Sequence, residues 1–309
     1  MVTDAFADRF SRIEGVRAWK DAPLAPFTSI GVGGKADLLL TVAGSGQVAW
    51  VLSVLAQEEL PWTVLGAGSN LLVGDEGFAG VVLKLDEDFH FVEGPDAEGR
   101  LVAGGGLSLP RLATFAVEVG LAGLEFSCGI PGSVGGAVAM NAGTHAGDMS
   151  GVVTAVELAT PEGVSWEGAE DLQWNYRECR LPPISVVTGV RLALQYDEPD
   201  KIAARHRSLL RKRRQTQPRG VRTFGSTFRN PPGEAAGRLL DCAGVRGVRR
   251  GGAQVSPVHA NFITNMGDAS AADVLGLMAA MRETVLAKHD VVLEPEVHLL
   301  GAGFPWEPV

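Results

Sequence analysis

The sequence predicts an α+β protein of two domains, on three observations. A chain of 309 residues is longer than most single domains. Strand-like and helix-like segments alternate in its first part, and mixed elements follow. The polar segment Tyr196–Lys201, which contains Pro199, separates an apolar strand from a basic helix. We therefore expect a larger domain over residues 1–198 and a smaller α+β domain over residues 199–309 that completes the functional site.

Individual elements follow from local pattern. Segments rich in Val, Leu and Ile, bounded by Gly or Pro, predict strands at Asp37–Val42, Trp62–Leu65, Val81–Leu85, Val152–Leu158 and Ile184–Leu194. Apolar residues at helical spacing predict helices at Gln47–Glu59, Pro110–Val119, Ile202–Arg214 and Ala271–His289. Ser270 is the candidate N-cap of the last helix, with Asp273 three residues later.

Composition and charge exclude several classes of protein. The net charge of −9, from 27 basic and 36 acidic residues, argues against nucleic acid or an anionic membrane as a partner. The N-terminus carries Asp4 and Asp8 and no apolar segment, so we expect no signal peptide. No spacing such as HExxH predicts a metal site.

The three cysteines, Cys128, Cys179 and Cys242, lie far apart and form no CxxC pair. This usage indicates a reducing, cytoplasmic compartment. We expect each cysteine to be a small buried residue, because cysteine is among the most buried residue types.

The first glycine-rich loop is Leu65–Leu71, sequence LGAGSNL, directly after an apolar run. Its glycines allow close approach of the backbone to a ligand, and successive N–H groups can bind an anion. It is not a Rossmann fingerprint, because Leu71 stands where the third glycine would be. It could equally be an ordinary turn.

The second loop, Gly129–Gly143, lies in the longest uncharged stretch, Ser127–Gly147. Its pattern fits neither a regular helix nor a regular strand, and Pro131 with the glycines argues against a membrane span. We predict a buried glycine-rich loop that wraps a diphosphate with backbone N–H groups. Tight packing between domains is the alternative.

The two loops, in this order, resemble those of the UDP-N-acetylenolpyruvoylglucosamine reductase family. Further motifs match along nearly the whole chain: SIGVGGKAD at Ser29–Asp37, WNYR at Trp174–Arg177, GSTFRNP at Gly225–Pro231, GGAQVSPVHANFITN at Gly251–Asn265 and LEPEVHLLG at Leu293–Gly301. Either glycine loop alone would be a weak signal, whereas this ordered set is highly specific.

The resemblance implies an FAD-binding domain of the PCMH/vanillyl-alcohol-oxidase type, with two lobes that divide near residue 86. It implies FAD contacts from Gly66, Ala67, Gly68, Ser69, Asn70, Leu71, Gly129, Ile130, Pro131, Gly132, Ser133, Gly136, Asn141 and Gly143. Covalent members of that superfamily often carry a histidine near the first loop. None stands between Gly66 and Gly77, so we expect FAD to bind without a covalent bond.

The activity that the resemblance implies has two halves. NADPH reduces FAD, and the reduced flavin passes a hydride to the enolpyruvyl group of UDP-N-acetylglucosamine enolpyruvate, a cell-wall precursor. Ser226 would supply the proton, while Arg177 would bind the substrate carboxylate. From the residues alone Glu294 and Glu296 share one face of a strand and are equivalent, and the resemblance selects Glu296. We expect a monomer.

The resemblance also implies substrate contacts from Tyr176, Asn230 and His259. Two positions depart from the family pattern: His298 stands for the usual arginine and Thr216 for a lysine before Gln-Pro. Arg229 replaces a lysine and keeps its charge. Few residues follow Arg177 before the next strand, so the chain resembles the shorter, second type that lacks a tyrosine-bearing insertion.

A basic segment stands out against the acidic background, with Arg205, Arg207, Arg211, Lys212, Arg213 and Arg214. We interpret it as a solvated helix face with one or two arginines near the substrate diphosphate, since no nucleic-acid motif accompanies it. Two other functions stay open at this point. One is a different oxidoreductase of the same fold that acts on an alcohol or lactone. The other is a non-catalytic nucleotide-sugar binding module.

Overall fold

The computed structural model describes residues 2–301 and 303–306. Its α-helices in these ranges are α1 (Asp4–Ser11), α2 (Ser45–Gln57), α3 (Leu109–Glu118), α4 (Val134–Ala139), α5 (Pro199–Thr216), α6 (Ala236–Ala243) and α7 (Ala271–His289).

The described residues form 20 strands. The first ten are β1 (Val16–Pro23), β2 (Lys35–Val42), β3 (Trp62–Val64), β4 (Leu71–Val73), β5 (Phe78–Leu85), β6 (Val92–Glu93), β7 (Arg100–Gly104), β8 (Leu121–Ala122), β9 (Gly143–Thr144) and β10 (Gly147–Asp148). The others are β11 (Val153–Thr160), β12 (Gly163–Gly168), β13 (Gln173–Asn175), β14 (Glu178–Arg180), β15 (Val186–Ala193), β16 (Gln195–Tyr196), β17 (Arg249–Arg250), β18 (Ala253–Val255), β19 (Ile263–Asn265) and β20 (His298–Leu300).

Within the described residues, two sheets have four or more strands. A four-stranded sheet has the order β1-β2-β5-β3, and a five-stranded sheet has the order β12-β11-β15-β7-β6. β3 and β5 pair in parallel, whereas β15 pairs antiparallel with both β11 and β7. A further sheet has three strands in the order β17-β18-β19, and β20 and β4 form a parallel pair.

The chain divides into two compact units. Unit 1 comprises Met1–Lys20, Leu38–Ala67 and Gly80–Arg213, and unit 2 comprises Asp21–Asp37, Gly68–Ala79 and Arg214–Val309. These units describe where the chain packs on itself. The domain bounds of 1–198 and 199–309 concern independent folding and stay a prediction.

Each unit has its own apolar core. In unit 1 one cluster joins α3, α4 and the five-stranded sheet, and another packs α1 and α2 on the four-stranded sheet. In unit 2, α6 and α7 pack on the small sheet and around Phe224 and Phe228, both essentially inaccessible to solvent. Burial of such aromatic rings stabilises the segment between them, which carries Ser226.

The α+β class and all nine of the predicted strands and helices are confirmed, with end points that shift by a few residues. α7 begins as expected: the Ser270 hydroxyl accepts a hydrogen bond from the Asp273 N–H, and the Asp273 carboxylate accepts one from the Ser270 N–H. This reciprocal capping satisfies two N–H groups that a helix start would otherwise leave unpaired.

Three local expectations are wrong. The second glycine-rich segment is not wholly a loop, because it contains the short helix α4, which Ser133 caps; its middle is buried as expected, whereas Gly129 and Pro131 near its start are exposed. Glu294 and Glu296 do not lie in a strand, because β20 begins only at His298. Cys242 is exposed, whereas Cys128 and Cys179 are buried as expected.

Candidate functional site

The first glycine loop begins where β3 ends. The Leu65 N–H donates to the Leu83 carbonyl at 2.8 Å, which continues the parallel pairing with β5 up to the loop. Gly68 has φ +60°, and a Cβ at this position would clash with the Phe27 carbonyl group. The Ser29 N–H donates to the Gly68 carbonyl at 2.9 Å. This close approach of two backbones, with a positive φ, requires glycine.

The second loop is held by a side-chain cap within it and by a backbone hydrogen bond to a residue outside it. The Ser133 hydroxyl caps α4 by accepting from the Gly136 N–H at 3.3 Å, and the Gly135 N–H donates to the Gly105 carbonyl at 2.8 Å. Between Ser127 and Gly147 there is no charged Asp, Glu, Lys or Arg side chain. A segment with backbone donors and no carboxylate suits an anionic ligand such as a diphosphate.

Two cations border these loops, and neither is among the site residues predicted from the sequence. Lys84 on β5 donates to the Gly66 carbonyl at 3.3 Å, and burial lowers the pKa of its ammonium group, an effect that Asp86 opposes. Arg213 on α5 lies with its Nε 3.4 Å from where a Cβ on Gly129 would stand, and burial lowers its pKa as well. A partly buried cation is stabilised by a nearby anion. These residues therefore suit an anionic ligand at the two loops.

Two features of the sequence could have indicated these cations. Lys84 is the one charged residue in the otherwise apolar strand β5. Arg213 belongs to the basic segment that we interpreted as a solvated helix face. That interpretation holds for its neighbours Arg211, Lys212 and Arg214, which are exposed, but Arg213 is only partly accessible.

Arg177 occupies the turn of a hairpin. β13 and β14 pair with Asn175 opposite Glu178, which leaves Tyr176 and Arg177 as the two turn residues. Arg177 has φ +61°, a conformation that glycine and asparagine adopt more readily than arginine. Its guanidinium lies 4.8 Å from the centroid of the Tyr176 ring, and Tyr176 is 52% exposed. The hairpin thus presents a cation on an exposed aromatic ring.

Ser226 lies in an extended segment that is hydrogen-bonded along one side to Asn261. Ser226 pairs with Phe262 in an antiparallel bridge, and the Thr227 N–H donates to the Asn261 carbonyl at 2.8 Å. The Asn261 side chain accepts from the Phe228 N–H at 3.0 Å and donates to the Phe228 carbonyl at 2.8 Å. Asn261 is buried, and although it stands in the segment GGAQVSPVHANFITN, no local pattern of the sequence predicts this contact.

Glu296 lies on the opposite side of the same segment. Its N–H donates to the Thr227 carbonyl at 2.9 Å, and the Arg229 N–H donates to the Glu294 carbonyl at 2.8 Å. Ser226 and Glu296 are therefore brought onto neighbouring extended segments. Glu296 is partly buried whereas Glu294 is exposed, so the two glutamates differ in environment.

The first loop reaches this second segment through Asn70. Its side-chain amide donates to the Glu296 carbonyl at 2.9 Å, and its own carbonyl accepts from the His298 N–H at 3.1 Å. Leu71 then pairs with His298 as β4 and β20 run in parallel. The loop that we predict to bind the cofactor thus also holds the backbone of a predicted catalytic residue.

The three other candidates in unit 2 have distinct environments. Asn230 is exposed, and its side-chain oxygen accepts from the Ala236 N–H at 3.0 Å at the start of α6. His259 accepts from the Asn261 N–H at 3.2 Å, and burial, together with the charge of Arg246, lowers its pKa. His298 is exposed to solvent, but nearby protein atoms still displace part of the water around its ring. This desolvation and the charge of Arg229 lower its pKa.

The candidates are distributed over both units. Asn70, Ser226, Asn230, His259 and Glu296 belong to unit 2, whereas Tyr176, Arg177 and the second glycine loop belong to unit 1. Over residues 2–301 and 303–306, no three His, Cys, Asp or Glu side chains come together in a way that could hold a metal ion. In the same ranges, no helix is long and apolar enough to cross a membrane.

Comparison with known proteins identifies the class. Residues 36–167, which include both glycine loops, match the family described as FAD binding domain. Residues 217–300, which include Ser226 and Glu296, match the family described as UDP-N-acetylenolpyruvoylglucosamine reductase, C-terminal domain. Together with the fold and its glycine loops, these matches define a flavin-dependent oxidoreductase whose cofactor is FAD.

Whole-chain relatives specify the family. A UDP-N-acetylenolpyruvoylglucosamine reductase of Anaeromyxobacter sp. (strain Fw109-5) is 49% identical over 91% of this chain and 88% of its own length. The reductase of Myxococcus xanthus is 43% identical over 97% of both chains. The crystal structure of UDP-N-acetylenolpyruvylglucosamine reductase from Thermus caldophilus superposes with a TM-score of 0.79 at 38% identity, over 92% of this chain and 98% of that one. The chain belongs to the UDP-N-acetylenolpyruvoylglucosamine reductase family.

Proposed function

We propose that the protein reduces UDP-N-acetylglucosamine enolpyruvate to UDP-N-acetylmuramate with NADPH, as a cytoplasmic step of peptidoglycan precursor synthesis. The identity to reductases of that name over more than nine tenths of the chain supports this reaction. The structural observation that carries the proposal is the 2.9 Å hydrogen bond from the Glu296 N–H to the Thr227 carbonyl. It sets a carboxyl group beside the segment of the proposed proton donor, Ser226.

FAD, bound without a covalent bond, would supply the hydride chemistry that links NADPH to the enolpyruvyl group. The backbone N–H groups of the two glycine loops would hold its diphosphate. Lys84 and Arg213, which border Gly66 and Gly129, would offset the negative charge. The task of the remaining residues is to bind the substrate carboxylate, to stabilise the charge that develops next to it and to deliver one proton.

Ser226 is the proposed donor of that proton. It follows Gly225, which has φ +86° and no atom within 4 Å of the place where a Cβ would be, so a ligand can approach this backbone closely. A hydroxyl group is a weak acid in water. It can protonate a strongly basic carbon when neighbouring dipoles and cations stabilise the resulting alkoxide.

Arg177 and Glu296 are proposed to handle the substrate carboxylate. A guanidinium group binds a carboxylate through two parallel hydrogen bonds and stabilises an adjacent enolate by its charge. Glu296 would polarise the same carboxylate. The predicted contacts of Tyr176, Asn230 and His259 with the sugar nucleotide belong to the same proposal.

The reaction is tested by anaerobic stopped-flow absorbance of the purified protein at the flavin band. NADPH is added first and UDP-N-acetylglucosamine enolpyruvate second. We expect bleaching by NADPH and rapid recovery with the enolpyruvyl substrate. Bleaching without recovery would leave a flavoenzyme with a different oxidant and refute the proposed substrate.

The roles of Arg177 and Glu296 are tested in the same experiment with Arg177→Ala and Glu296→Gln. Each substitution should slow the recovery of the flavin band while it leaves bleaching by NADPH near the wild-type rate. Loss of FAD to the same degree as loss of recovery would assign these residues a structural role instead.

A further inference from the structure

Asn70 belongs to the first glycine loop, and its side chain contacts the segment that carries Glu296. Its Nδ2 donates to the main-chain oxygen of Glu296 at 2.9 Å. We infer that Asn70 is a positioning residue, which aims the carboxyl group of Glu296 and couples the cofactor loop to the reduction of substrate. This inference rests on the proposed function, because it concerns the role of Glu296 in that reaction.

The backbone of Glu296 is fixed from two directions. Its N–H donates to the Thr227 carbonyl at 2.9 Å, and its carbonyl accepts from Asn70 at 2.9 Å. Two residues later, the His298 N–H donates to the Asn70 carbonyl at 3.1 Å, and β4 and β20 begin their parallel pairing. Between Thr227 on one side and Asn70 on the other, the peptide groups that flank the Glu296 side chain are both restrained.

The restraint from Asn70 matters because Glu296 lies outside regular secondary structure. β20 begins at His298, so Glu296 has no strand neighbours to define its main-chain angles beyond the isolated bridge at Pro295. In such a segment, loss of one hydrogen bond can rotate a peptide group and move the attached side chain. A misplacement of about 1 Å can slow a reaction by about 100-fold.

The chemistry of the contact requires a donor at position 70. The partner is a carbonyl oxygen, which only accepts hydrogen bonds. Aspartate has nearly the shape of asparagine, but at neutral pH its carboxylate would face that oxygen as a second acceptor. A protonated aspartic acid would again donate. Asn70→Asp therefore converts the contact into one that depends on pH.

The test uses stopped-flow measurement of both half-reactions in the FAD-loaded protein, from acidic to neutral pH. For Asn70→Asp at neutral pH we expect the recovery with the enolpyruvyl substrate, expressed relative to bleaching by NADPH in the same variant, to be slower than in the wild type by about 10-fold to 100-fold. As the pH falls, recovery should approach that of the wild type. In Asn70→Ala the recovery should be slowed at neutral pH and should remain slow at low pH. If Asn70→Asp does not fold, Asn70→Ala is sufficient to test the inference.

The matched control is Asn265→Asp. Asn265 is a buried asparagine of the same unit whose amide donates to the Ile30 carbonyl at 2.9 Å rather than to Glu296. It should lower thermal stability without selective slowing of recovery. A merely structural role of Asn70 would make its variants behave like this control.

Two results would overturn the inference. In one, Asn70→Asp and Asn70→Ala recover at the wild-type rate at every pH. In the other, they lose FAD or NADPH bleaching to the same degree as recovery, which would make Asn70 a cofactor ligand alone. Failure of the proposed function is distinguishable, because the wild-type protein itself would then show no recovery with this substrate.

Discussion

The side-chain amide of Asn141, in the second glycine loop, donates a hydrogen bond to the main-chain oxygen of Asn175, at 3.0 Å. Asn175 is the last residue of β13, directly before the turn formed by Tyr176 and Arg177. The Asn141 side-chain oxygen also accepts from the Ser150 N–H at 3.0 Å. A residue predicted from the sequence to contact the cofactor is thus also part of the support of the Arg177 hairpin.

Asn141→Asp is expected to destabilise the protein by about 1–3 kcal/mol, because it replaces a buried donor with a carboxylate that faces a carbonyl. It should also raise the KM for the enolpyruvyl substrate, since Arg177 is less well placed. Urea unfolding and steady-state kinetics measure the two effects. Asn175→Ala is the matched control, because Asn175 is exposed and its main-chain oxygen is retained. Equal KM values for wild type and Asn141→Asp would separate Asn141 from the hairpin.

Arg177→Gly tests whether the backbone of Arg177 is held in a strained conformation. A non-glycine residue at φ +61° costs on the order of 1 kcal/mol, which glycine avoids. We therefore expect unchanged or slightly higher thermal stability together with loss of substrate reduction. Arg177→Lys should keep the strain and recover part of the activity, since it keeps the charge but not the two-pronged contact. A large loss of stability in Arg177→Gly would contradict this account.

Gly68→Ala tests the close approach of the first loop to Phe27. A Cβ at residue 68 meets the Phe27 carbonyl group, and φ is +60°, so we expect destabilisation by more than about 1 kcal/mol and reduced retention of FAD. Gly46→Ala on α2 is the control, because nothing beyond its chain neighbours and the backbone of its own helix lies within 4 Å of its Cβ position. That variant should be stabilised by about 0.5 kcal/mol, as expected for alanine in a helix. Thermal unfolding with and without added FAD measures both.

The free energy of unfolding should decrease as the pH falls below about 6.5. Burial lowers the pKa of His259 from its usual 6.5, as does the charge of Arg246, while Asp241 opposes the shift. Below about pH 6.5, His259 is protonated more readily in the unfolded chain than in the folded protein, so a lower pH favours unfolding. Above about pH 6.5 His259 is neutral in both states, and its contribution to stability does not change with pH. His206 and His298 act in the same direction.

Urea unfolding near neutral pH and at about pH 5.5 measures this dependence, in a range above the titration of ordinary carboxyl groups. His259→Gln should reduce the difference in unfolding free energy between the two pH values. A protein that is more stable at the lower pH would show that His259, His206 and His298 do not control stability in this range.

Much of the fold could be predicted because it depends on local pattern. α7 was identified with its cap because Ser270 and Asp273 satisfy the helix start through their own side chains. The short helix α4 was not, because glycine-rich sequence has low helix propensity. Its stability comes from contacts that the sequence does not display, such as the Gly135 N–H bond to the Gly105 carbonyl.

The candidate site could be predicted as a set of residues but not as an arrangement. Periodicity suggested that Glu294 and Glu296 share a strand face, whereas the segment 294–296 is held by single bonds to residues 227–229. The side-chain contacts of Asn70 and Asn141 join residues far apart in the chain, 226 and 34 positions away. Such pairings follow from tertiary packing and have no local signature. The site assignments themselves stay predictions.

The most direct test of the central claim is the rate of flavin recovery in Ser226→Ala, measured by anaerobic stopped flow beside the wild type. Bleaching by NADPH should be unchanged, because no proton from Ser226 enters that half-reaction. Recovery with UDP-N-acetylglucosamine enolpyruvate should slow by about 10²–10⁴-fold, the usual contribution of a positioned acid. Recovery at the wild-type rate would remove Ser226 from the reaction and contradict the account of the site.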